Sequence, residues 1–379
     1  MKKIKIVFIQ DKLVCGGAEQ ALFDLANLLD REKFDITVLV QKPGGPWDQK
    51  FRDGGVNVIY DYSCRKATIN PVVKARNISR KLRTAAAYRR NGEGLLDVVC
   101  PGADIIVSYS MWDHALCGFA QGAKSVKFIH GNMQTNEQFR NLILRDEKLL
   151  PRYSRIVCVS QAAWAAFVAV TGRRDGVEMH FNPIDSDAVC RKAEQPVSIP
   201  NDLPVICAVG RLAKEKGFER LIVIHQRLVE QGIAHRLVIV GDGPDRDYIR
   251  RIVKAVDAQD TVILAGYQEN PYPYMKNSRF VVCSSFTEGL PVIAMEALCM
   301  GVPVVAAVPA VGEAFGDEPC GLITENDNAS LMEGIRRALT DEEFYCQMKA
   351  AAQRRSAFFS GKRMVREIED MFLQMMQED

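Results

Sequence analysis

Short apolar runs alternate with longer amphipathic stretches along most of the chain. The runs are rich in β-branched residues and are bounded by Gly, Pro or Asp: IKIVFIQ, DITVLV, DIIVSYS, SVKFIHG, RIVCVS, PVICAVG, RLVIVGDG, TVILAG, FVVCSS and VPVVAA. Continuous apolar strands that alternate with helices are typical of parallel sheets covered by helices on both faces. The pattern therefore predicts a doubly wound α/β architecture.

The series of predicted strands restarts after a polar stretch, which marks a domain boundary. That stretch, residues 181–204, carries four prolines in FNPIDSDAVCRKAEQPVSIPNDLP. A chain of 379 residues also exceeds the size at which one core usually stops growing. We expect two α/β domains, residues 1–182 and 183–360. Since ligands bind beyond the carboxyl ends of parallel strands, we expect a ligand in a cleft between them.

The composition indicates a globular protein without a membrane-spanning segment. Hydrophobic residues make up 47% and charged residues 25% of the chain. No apolar run approaches the roughly 20 residues that a bilayer requires, and Gln10, Asp11 and Lys12 interrupt the first run before it reaches the length of a signal sequence. The 11 cysteines show neither metal-ligand nor redox spacing. They predict buried, reduced thiols and a cytoplasmic location.

Positive charge is concentrated in the first half of the chain. Residues 1–180 hold 27 Lys and Arg against 18 Asp and Glu, whereas the remainder holds 22 against 29. Segment 62–92 alone carries nine basic residues and no acid. It predicts contact with an anionic membrane or an acceptor phosphate, with Val72, Ile78 and Leu82 among its apolar residues; a solvated helix is the alternative. The absence of a nucleic-acid motif argues against nucleic acid.

Two glutamates, Glu288 and Glu296, stand in the otherwise apolar stretch FTEGLPVIAMEAL. The preceding FVVCSS predicts a strand, and Pro291 predicts the first residue of a helix. Free amides at this helix start offer an anion site, contributed by Gly289, Leu290 and Val292. The two carboxylates can accept hydrogen bonds from sugar hydroxyls on either side of that anion. The alternative is one acid near a helix start and one solvated helix glutamate.

The stretch AVGRLAKEKGFERLI places two cations after a predicted strand. Arg211 follows Gly210 directly, and Lys216 precedes a helix predicted to begin near Phe218. A guanidinium binds a diphosphate bidentately and an ammonium binds it as a point charge. The pair therefore predicts a diphosphate site, unless both are ordinary surface cations.

The first predicted strand is followed by Gly16 and Gly17, which would let backbone amides approach a phosphate. Neither the dinucleotide fingerprint nor a Walker lysine accompanies them. His130, in FIHGN, follows another strand and is the best placed of the five histidines to face the cleft, ahead of His114. A buried structural histidine is the alternative reading. Asp185 and Asp187 form a D-x-D near the boundary, but we predict no metal site.

Taken in order, these motifs resemble the family 4 glycosyltransferases, retaining nucleotide-sugar enzymes of the GT-B fold. The resemblance covers nearly the whole chain and is carried by GGAE, VGRLAKEKGFERLI, IVGDGP, LAGYQENPYPYMKNSRFVVCSSFTEGLPVIAMEALCMGVPVVA and FSGKRMVREIEDMF. Bacterial members that build lipopolysaccharide, capsule and other surface glycans are the most similar. The resemblance implies two Rossmann-like domains, the first binding the acceptor and the second the nucleotide-sugar. A terminal helix within 361–379 would cross back to the first.

The resemblance also implies roles for the residues singled out above. Glu288 would contact hydroxyls of the transferred sugar and Glu296 the ribose. Arg211 and Lys216 would hold the diphosphate and stabilise the departing nucleotide. The remaining assignments are Gly17 beside the phosphate, His130 on the sugar, and Tyr267 and Gln268 near the nucleobase.

The implied reaction moves a hexose or N-acetylhexosamine from a UDP-sugar to a hydroxyl of a lipid-linked glycan, with retention at the anomeric carbon. No metal and no separate cofactor would take part. An epimerase similar to the UDP-N-acetylglucosamine 2-epimerases and a non-catalytic nucleotide-sugar-binding module are the alternatives. The chain departs from the family after GVPVVAA, where only Gly312 and Glu313 approximate the usual glycine-rich turn and acid.

Overall fold

The computed structural model describes residues 2–14, 16–60, 102–109, 122–145, 147–200 and 202–378, together with six positions between 71 and 82. The chain forms two compact units. The N-terminal unit comprises Met1–Pro183 and Met364–Asp379, and the C-terminal unit comprises Ile184–Arg363. The N-terminal unit thus first ends at Pro183, one residue after the boundary that the sequence predicts.

The N-terminal unit contains a seven-stranded sheet in the order β3, β2, β1, β4, β5, β6, β7. All of its strand pairs are parallel. The order reverses between β1 and β4, which makes this the switch point of a doubly wound sheet. The strands are β1 (Ile4–Gln10), β2 (Phe34–Val40), β3 (Asn57–Tyr60), β4 (Ile105–Ser108), β5 (Lys124–Ile129), β6 (Arg155–Cys158) and β7 (Val177–Met179).

The C-terminal unit repeats this plan with six parallel strands in the order β10, β9, β8, β11, β12, β13. Its switch point lies between β8 and β11, where ligands bind in sheets of this type. The strands are β8 (Val205–Val209), β9 (Arg236–Val240), β10 (Val262–Gly266), β11 (Phe280–Cys283), β12 (Val304–Ala306) and β13 (Gly321–Ile323).

Helices connect the strands and cover the sheets. In the N-terminal unit they include α1 (Gly17–Leu28), α2 (Asp48–Asp53), α3 (Glu137–Arg145) and α4 (Gln161–Thr171). The C-terminal unit contains α5 (Ser186–Ala193), α6 (Phe218–Glu230), α7 (Arg246–Ala255), α8 (Tyr272–Lys276), α9 (Val292–Cys299), α10 (Val311–Phe315), α11 (Asn328–Thr340) and α12 (Glu342–Arg355). The last helix, α13 (Gly361–Met375), begins in the C-terminal unit and ends in the N-terminal one.

Each unit has its own apolar core. Two clusters lie in the N-terminal unit, and one of them includes Ile368 and Phe372 from α13, which pack with residues of β1 and β2. The core of the C-terminal unit joins α6, α7 and α11 to its sheet. The cysteines of the described part of the chain are unpaired, and five of the seven are buried; Cys190 and Cys346 are exposed.

The ten runs predicted as strands all form strands. The additional strands β3, β7 and β13 are edge strands, and their residues are less buried than those of the central strands. Most of the basic segment 62–92, and His114, lie outside the described residues. No helix in the described ranges is long and apolar enough to cross a membrane.

Candidate active site

Arg211 and Lys216, the two cations predicted to bind a diphosphate, lie on the connection from β8 to α6, at the switch point of the second sheet. β8 ends at Val209, and a short 3-10 turn spans Lys214–Lys216. Gly217 then takes a left-handed conformation with φ 65°, and α6 begins at Phe218, as the sequence predicted. Lys216 is thus the last residue of a tight turn that leads through Gly217 into a helix, which limits its backbone freedom.

Lys216 and Glu288 form an ion pair across the switch point. The Lys216 ammonium contacts Oε1 of Glu288, and the Ser285 hydroxyl donates to the same oxygen over 2.7 Å. The side chains are 28% and 16% exposed, so the pair is partly shielded but open to solvent. Two of the predicted site residues, 72 positions apart in the chain, thus meet in one place.

Close backbone packing at Gly217 holds the two loops together. A Cβ at this position would lie 2.1 Å from the carbonyl oxygen of Ser284, a distance that no side chain tolerates. The Ser284 hydroxyl donates to the Lys216 carbonyl over 2.9 Å. Glycine is thus required here both for its left-handed φ and for the close approach.

Arg220 fixes the loop that leads to Glu288. Its guanidinium is buried and donates to the carbonyl oxygen of Ser284 at 2.8 Å from Nε and to that of Ser285 at 2.8 Å. The half-exposed ring of Phe286 lies 4.1 Å from the guanidinium carbon. Burial lowers the Arg220 pKa, with Asp327 partly offsetting the effect. Nothing in the sequence indicated that Arg220 holds this loop.

The start of α9 provides backbone donors beside Glu288. The helix begins at Val292, and Pro291 precedes it with an extended ψ of 112°, so the predicted start at Pro291 is wrong by one residue. The physical reason is that Pro291 takes the flanking position, where backbone ψ is not yet helical. In the part of the chain that the structure describes, the amides of Gly289, Leu290 and Val292 donate to no backbone carbonyl.

Glu296 lies in the second turn of α9 and is buried. The Tyr272 hydroxyl, on α8, donates to Oε1 of Glu296 over 2.9 Å. The reading of Glu296 as a solvated helix glutamate is therefore wrong, because its side chain points into the protein and not to the surface. No sequence pattern indicated Tyr272 as its partner.

Arg211 and Gly210 also lie at the carboxyl end of β8. The amide of Gly210 donates to the Val240 carbonyl over 3.0 Å, which ties the loop to β9. Arg211 pairs with Glu215, one turn further on, and is mostly exposed. The Arg211 guanidinium is thus close to Lys216 in the chain but pairs with a different carboxylate.

Tyr267 and Gln268 follow β10 at the same edge of the sheet. Gln268 Nε2 donates to the Ala265 carbonyl over 2.8 Å, and half of Tyr267 is exposed. An exposed aromatic ring at the carboxyl edge can stack on a base. Their predicted contact with a nucleobase stays a prediction.

A pocket opens between β8 and β11, lined by Val209, Lys216, Val282, Cys283, Ser285 and Glu288, among others. Burial raises the pKa of the Cys283 thiol to about 12, so this thiol stays protonated at neutral pH. The charged groups of the pocket wall are therefore Lys216 and Glu288. An ammonium suits an anionic group and a carboxylate suits hydroxyls, so binding of a nucleotide-sugar at this site stays a prediction.

The glycines of the N-terminal unit open α1. Gly16 precedes the helix and Gly17 is its first residue. A Cβ on Gly16 would lie 2.4 Å from Oε2 of Glu19, whose other oxygen accepts a 2.9 Å hydrogen bond from Gln10. A Cβ at Gly16 would therefore require the end of the Glu19 side chain to move. Phosphate binding by Gly16 and Gly17 stays a prediction.

His130 follows β5 and packs on aromatic rings. Its ring centroid lies 4.6 Å from that of Tyr109 and 6.0 Å from that of Phe128. Both ring nitrogens are shielded from solvent and lack a hydrogen-bond partner among the residues that the structure describes. Burial, assisted by the charge of Lys127, lowers the His130 pKa to about 3. A neutral imidazole can donate or accept a hydrogen bond but carries no charge.

Asp185 has a structural task. Its carboxylate accepts a hydrogen bond from the Ala188 amide over 2.9 Å and caps the N-terminus of α5. Helix capping thus accounts for Asp185, and Asp187 lies in the first turn of the same helix.

The chain thus has two doubly wound α/β units, with Lys216 and Glu288 paired at the switch point of the second sheet. Two family models match it: one described as Glycosyltransferase Family 4, over residues 15–188, and one described as Glycosyl transferases group 1, over residues 191–355. Together they span most of both units. The chain belongs to glycosyltransferase family 4.

Curated relatives include bacterial glycan-building enzymes. The chain is 31% identical over 193 residues to the N-acetylgalactosamine-N,N'-diacetylbacillosaminyl-diphospho-undecaprenol 4-alpha-N-acetylgalactosaminyltransferase of Campylobacter jejuni, over 50% of this chain and 52% of the relative. The chain thus matches about half the length of that relative. It is 23% identical to the lipopolysaccharide core biosynthesis glycosyltransferase LpsD of Rhizobium meliloti, over 86% of this chain and 85% of the relative.

Solved structures show the same fold. The crystal structure of HepE from Anabaena in complex with UDP and glucose superposes with a TM-score of 0.78 at 18% identity, covering 97% of this chain and 99% of that one. This likeness confirms the predicted fold class. Membership of a glycosyltransferase family also favours transfer over the epimerase alternative.

Proposed function

We propose that the protein is a retaining glycosyltransferase that transfers a hexose or N-acetylhexosamine from a UDP-sugar to a hydroxyl of a lipid-linked glycan. The reaction would belong to the synthesis of a cell-surface polysaccharide. The observation that carries the proposal is the contact between Lys216 and Glu288 at the switch point, near the start of α9, where the amides of Gly289, Leu290 and Val292 donate to no backbone carbonyl of the described residues. A cation and backbone donors suit a diphosphate, and a carboxylate suits sugar hydroxyls.

The relatives support the choice of substrates. The Campylobacter jejuni enzyme is named for an acceptor carried on diphospho-undecaprenol, the Rhizobium meliloti relative is named for lipopolysaccharide core synthesis, and HepE was crystallised with UDP and glucose. A lipid-linked acceptor and a UDP-sugar donor are the corresponding proposals for this chain.

The chemistry proposed needs no protein nucleophile and no metal. The bond between the anomeric carbon and the phosphate oxygen breaks, and the acceptor oxygen bonds to that carbon on the same face. The acceptor proton passes to the leaving phosphate. Lys216 and Arg211 would stabilise the negative charge that develops there, and preorganised charge of this kind is an effective source of catalysis.

A panel of UDP-, GDP-, ADP- and dTDP-sugars tests the proposal, with release of the nucleoside diphosphate measured in the presence of lipid-linked acceptors. We expect UDP release that depends on the acceptor. Tight UDP binding without turnover across all acceptors would favour a binding module, and an epimerised sugar formed without acceptor would favour the epimerase. Product NMR tests retention: the anomeric coupling constant should match that of the donor.

We further propose that the basic segment, residues 62–92, contacts an anionic membrane. Val72, Ile78 and Leu82 are helical and are 75%, 51% and 66% exposed. Apolar side chains in a segment with nine basic residues and no acid suit the surface of an anionic bilayer. Such contact would bring the enzyme to a lipid-linked acceptor.

Sedimentation with vesicles tests this contact. The wild-type chain should bind vesicles containing phosphatidylglycerol and not those of phosphatidylcholine alone, and Ile78→Asp with Leu82→Asp should weaken that binding. Tyr248→Asp, an exposed apolar residue of the C-terminal unit, is the matched control. Equal partitioning into both lipids would contradict the proposal.

A further inference from the structure

A buried hydrogen bond joins Tyr272 to Glu296. The Tyr272 hydroxyl lies 2.9 Å from Oε1 of Glu296, and each residue is only 6% exposed. A hydrogen bond to a carboxylate is stronger than one between neutral groups, and low polarity around it strengthens it further. The contact therefore restricts the orientation of the Glu296 carboxylate.

The backbone around Tyr272 is itself held in place. Asn270 Nδ2 donates to the Lys192 carbonyl over 2.9 Å and to the Gln195 side chain over 2.8 Å. Its side-chain oxygen accepts from the Tyr272 amide over 3.3 Å, at the start of α8. The end of α5 thus anchors the segment from which Tyr272 reaches Glu296. Because this segment is anchored, the Tyr272 hydroxyl has a fixed position and can orient the Glu296 carboxylate.

We propose that Tyr272 is a positioning residue, which holds the Glu296 carboxylate in the orientation that accepts hydrogen bonds from the ribose hydroxyls of the donor nucleotide. The inference rests on the proposed function, because it takes Glu296 to be the ribose contact. The connection from β10 to α8 then serves two parts of the nucleotide. It carries Tyr267 and Gln268, predicted for the base, and leads into Tyr272, the first residue of α8, which acts on the ribose through Glu296.

The inference is tested by calorimetric titration of the full chain with UDP and with 2′,3′-dideoxy-UDP, which lacks the ribose hydroxyls. Tyr272→Phe removes the hydroxyl and keeps the ring. We expect it to weaken UDP binding about 10-fold, the loss typical of one hydrogen bond to a charged group, and to leave dideoxy-UDP binding unchanged. Tyr274→Phe is the matched control, since Tyr274 lies on the same helix and the hydroxyl that contacts Glu296 is that of Tyr272; it should bind both ligands as the wild type does.

Glu296→Ala completes a double-mutant cycle. In that background Tyr272→Phe should have no further effect on UDP binding if the hydroxyl acts through the carboxylate, as we propose. Equal weakening of UDP and dideoxy-UDP by Tyr272→Phe, or losses that add in the double variant, would overturn the inference and leave Tyr272 a packing residue.

The outcomes also separate this inference from the proposed function. A wild-type chain that binds UDP and dideoxy-UDP equally overturns the ribose role while leaving glycosyl transfer intact. If GDP or ADP binds in place of UDP, the same comparison is made with that nucleotide, since the ribose is common to all three. A chain that binds none of these nucleotides contradicts the proposed function itself, and the inference with it.

Discussion

At the scale of single residues, Lys216 is the side chain on which donor chemistry depends most. Its ammonium lies at the switch point, paired with Glu288 and fixed by the turn before α6. Lys216→Met keeps the aliphatic stem and removes the charge. We expect the turnover rate to fall roughly 100-fold or more, because charge on the leaving phosphate is no longer stabilised.

Steady-state UDP release measures this effect, with Lys214→Met as the control. Lys214 is exposed in the same turn and has no predicted role, so its replacement should leave turnover within about twofold of wild type, as is usual for surface substitutions. Normal turnover by Lys216→Met would show that its charge does not act in catalysis.

The sequence was informative about residues that follow strands and poor at finding their partners. Arg211, Lys216 and Glu288 could be singled out because charged residues directly after apolar strands must gather at one edge of a parallel sheet. Tyr272 and Arg220 could not, because their partners lie 24 and 64 positions away and neither residue interrupts an apolar pattern.

At the scale of elements, the contact between the turn before α6 and the loop after β11 determines the site geometry. Gly217→Ala should destabilise this contact, since a Cβ would meet the Ser284 carbonyl and φ is left-handed. We expect a loss of about 2–4 kcal/mol in the free energy of unfolding, the sum of left-handed strain and overpacking.

Gly232→Ala is the matched control for that loss. Gly232 has a left-handed φ of 84° but open space around its Cβ position. It should lose only about 1 kcal/mol, the cost of left-handed strain alone. Urea unfolding measures both, and equal losses in the two variants would mean that the approach to Ser284 contributes nothing.

Strands with continuous apolar runs could be predicted from the sequence, including the edge strand β10, whereas the edge strands β3, β7 and β13 could not. β1 and β11 are buried throughout most or all of their length, so they are continuous apolar runs. β7 and β13 have no fully buried residue, and partial burial leaves no clear period in the sequence. The helix start at Val292 was misplaced by one residue because Pro suits both the flanking and the first helical position.

At the scale of the whole molecule, we expect a buried histidine pair to make stability depend on pH. His225 Nδ1 and His235 Nε2 are 2.9 Å apart, Thr261 contacts the far nitrogen of His225, and the Ile233 carbonyl accepts from His235. All donors and acceptors are matched when both rings are neutral. Burial lowers the pKa of His225 to about 3 and also lowers that of His235.

In the unfolded chain these histidines regain an ordinary pKa near 6.5. Below that pH the unfolded chain binds protons that the folded chain does not, so the free energy of unfolding falls between about pH 6.5 and pH 3. At pH 5 the protonation of His225 in the unfolded chain should lower the free energy of unfolding by about 2 kcal/mol. Urea unfolding followed by circular dichroism at pH 7 and pH 5 measures the change.

A variant with His225→Leu and His235→Leu should lose less stability between pH 7 and pH 5 than the wild type. An identical pH dependence in the two proteins would show that the pair does not titrate on unfolding.

Amide hydrogen exchange of the full chain, with and without saturating UDP, tests most directly the claim that the carboxyl edge of the second sheet binds the donor nucleotide. We expect UDP to slow exchange in residues 210–217 and 288–296, where the two cations and the helix start lie. Protection confined to other parts of the chain, with these two segments unchanged, would contradict it.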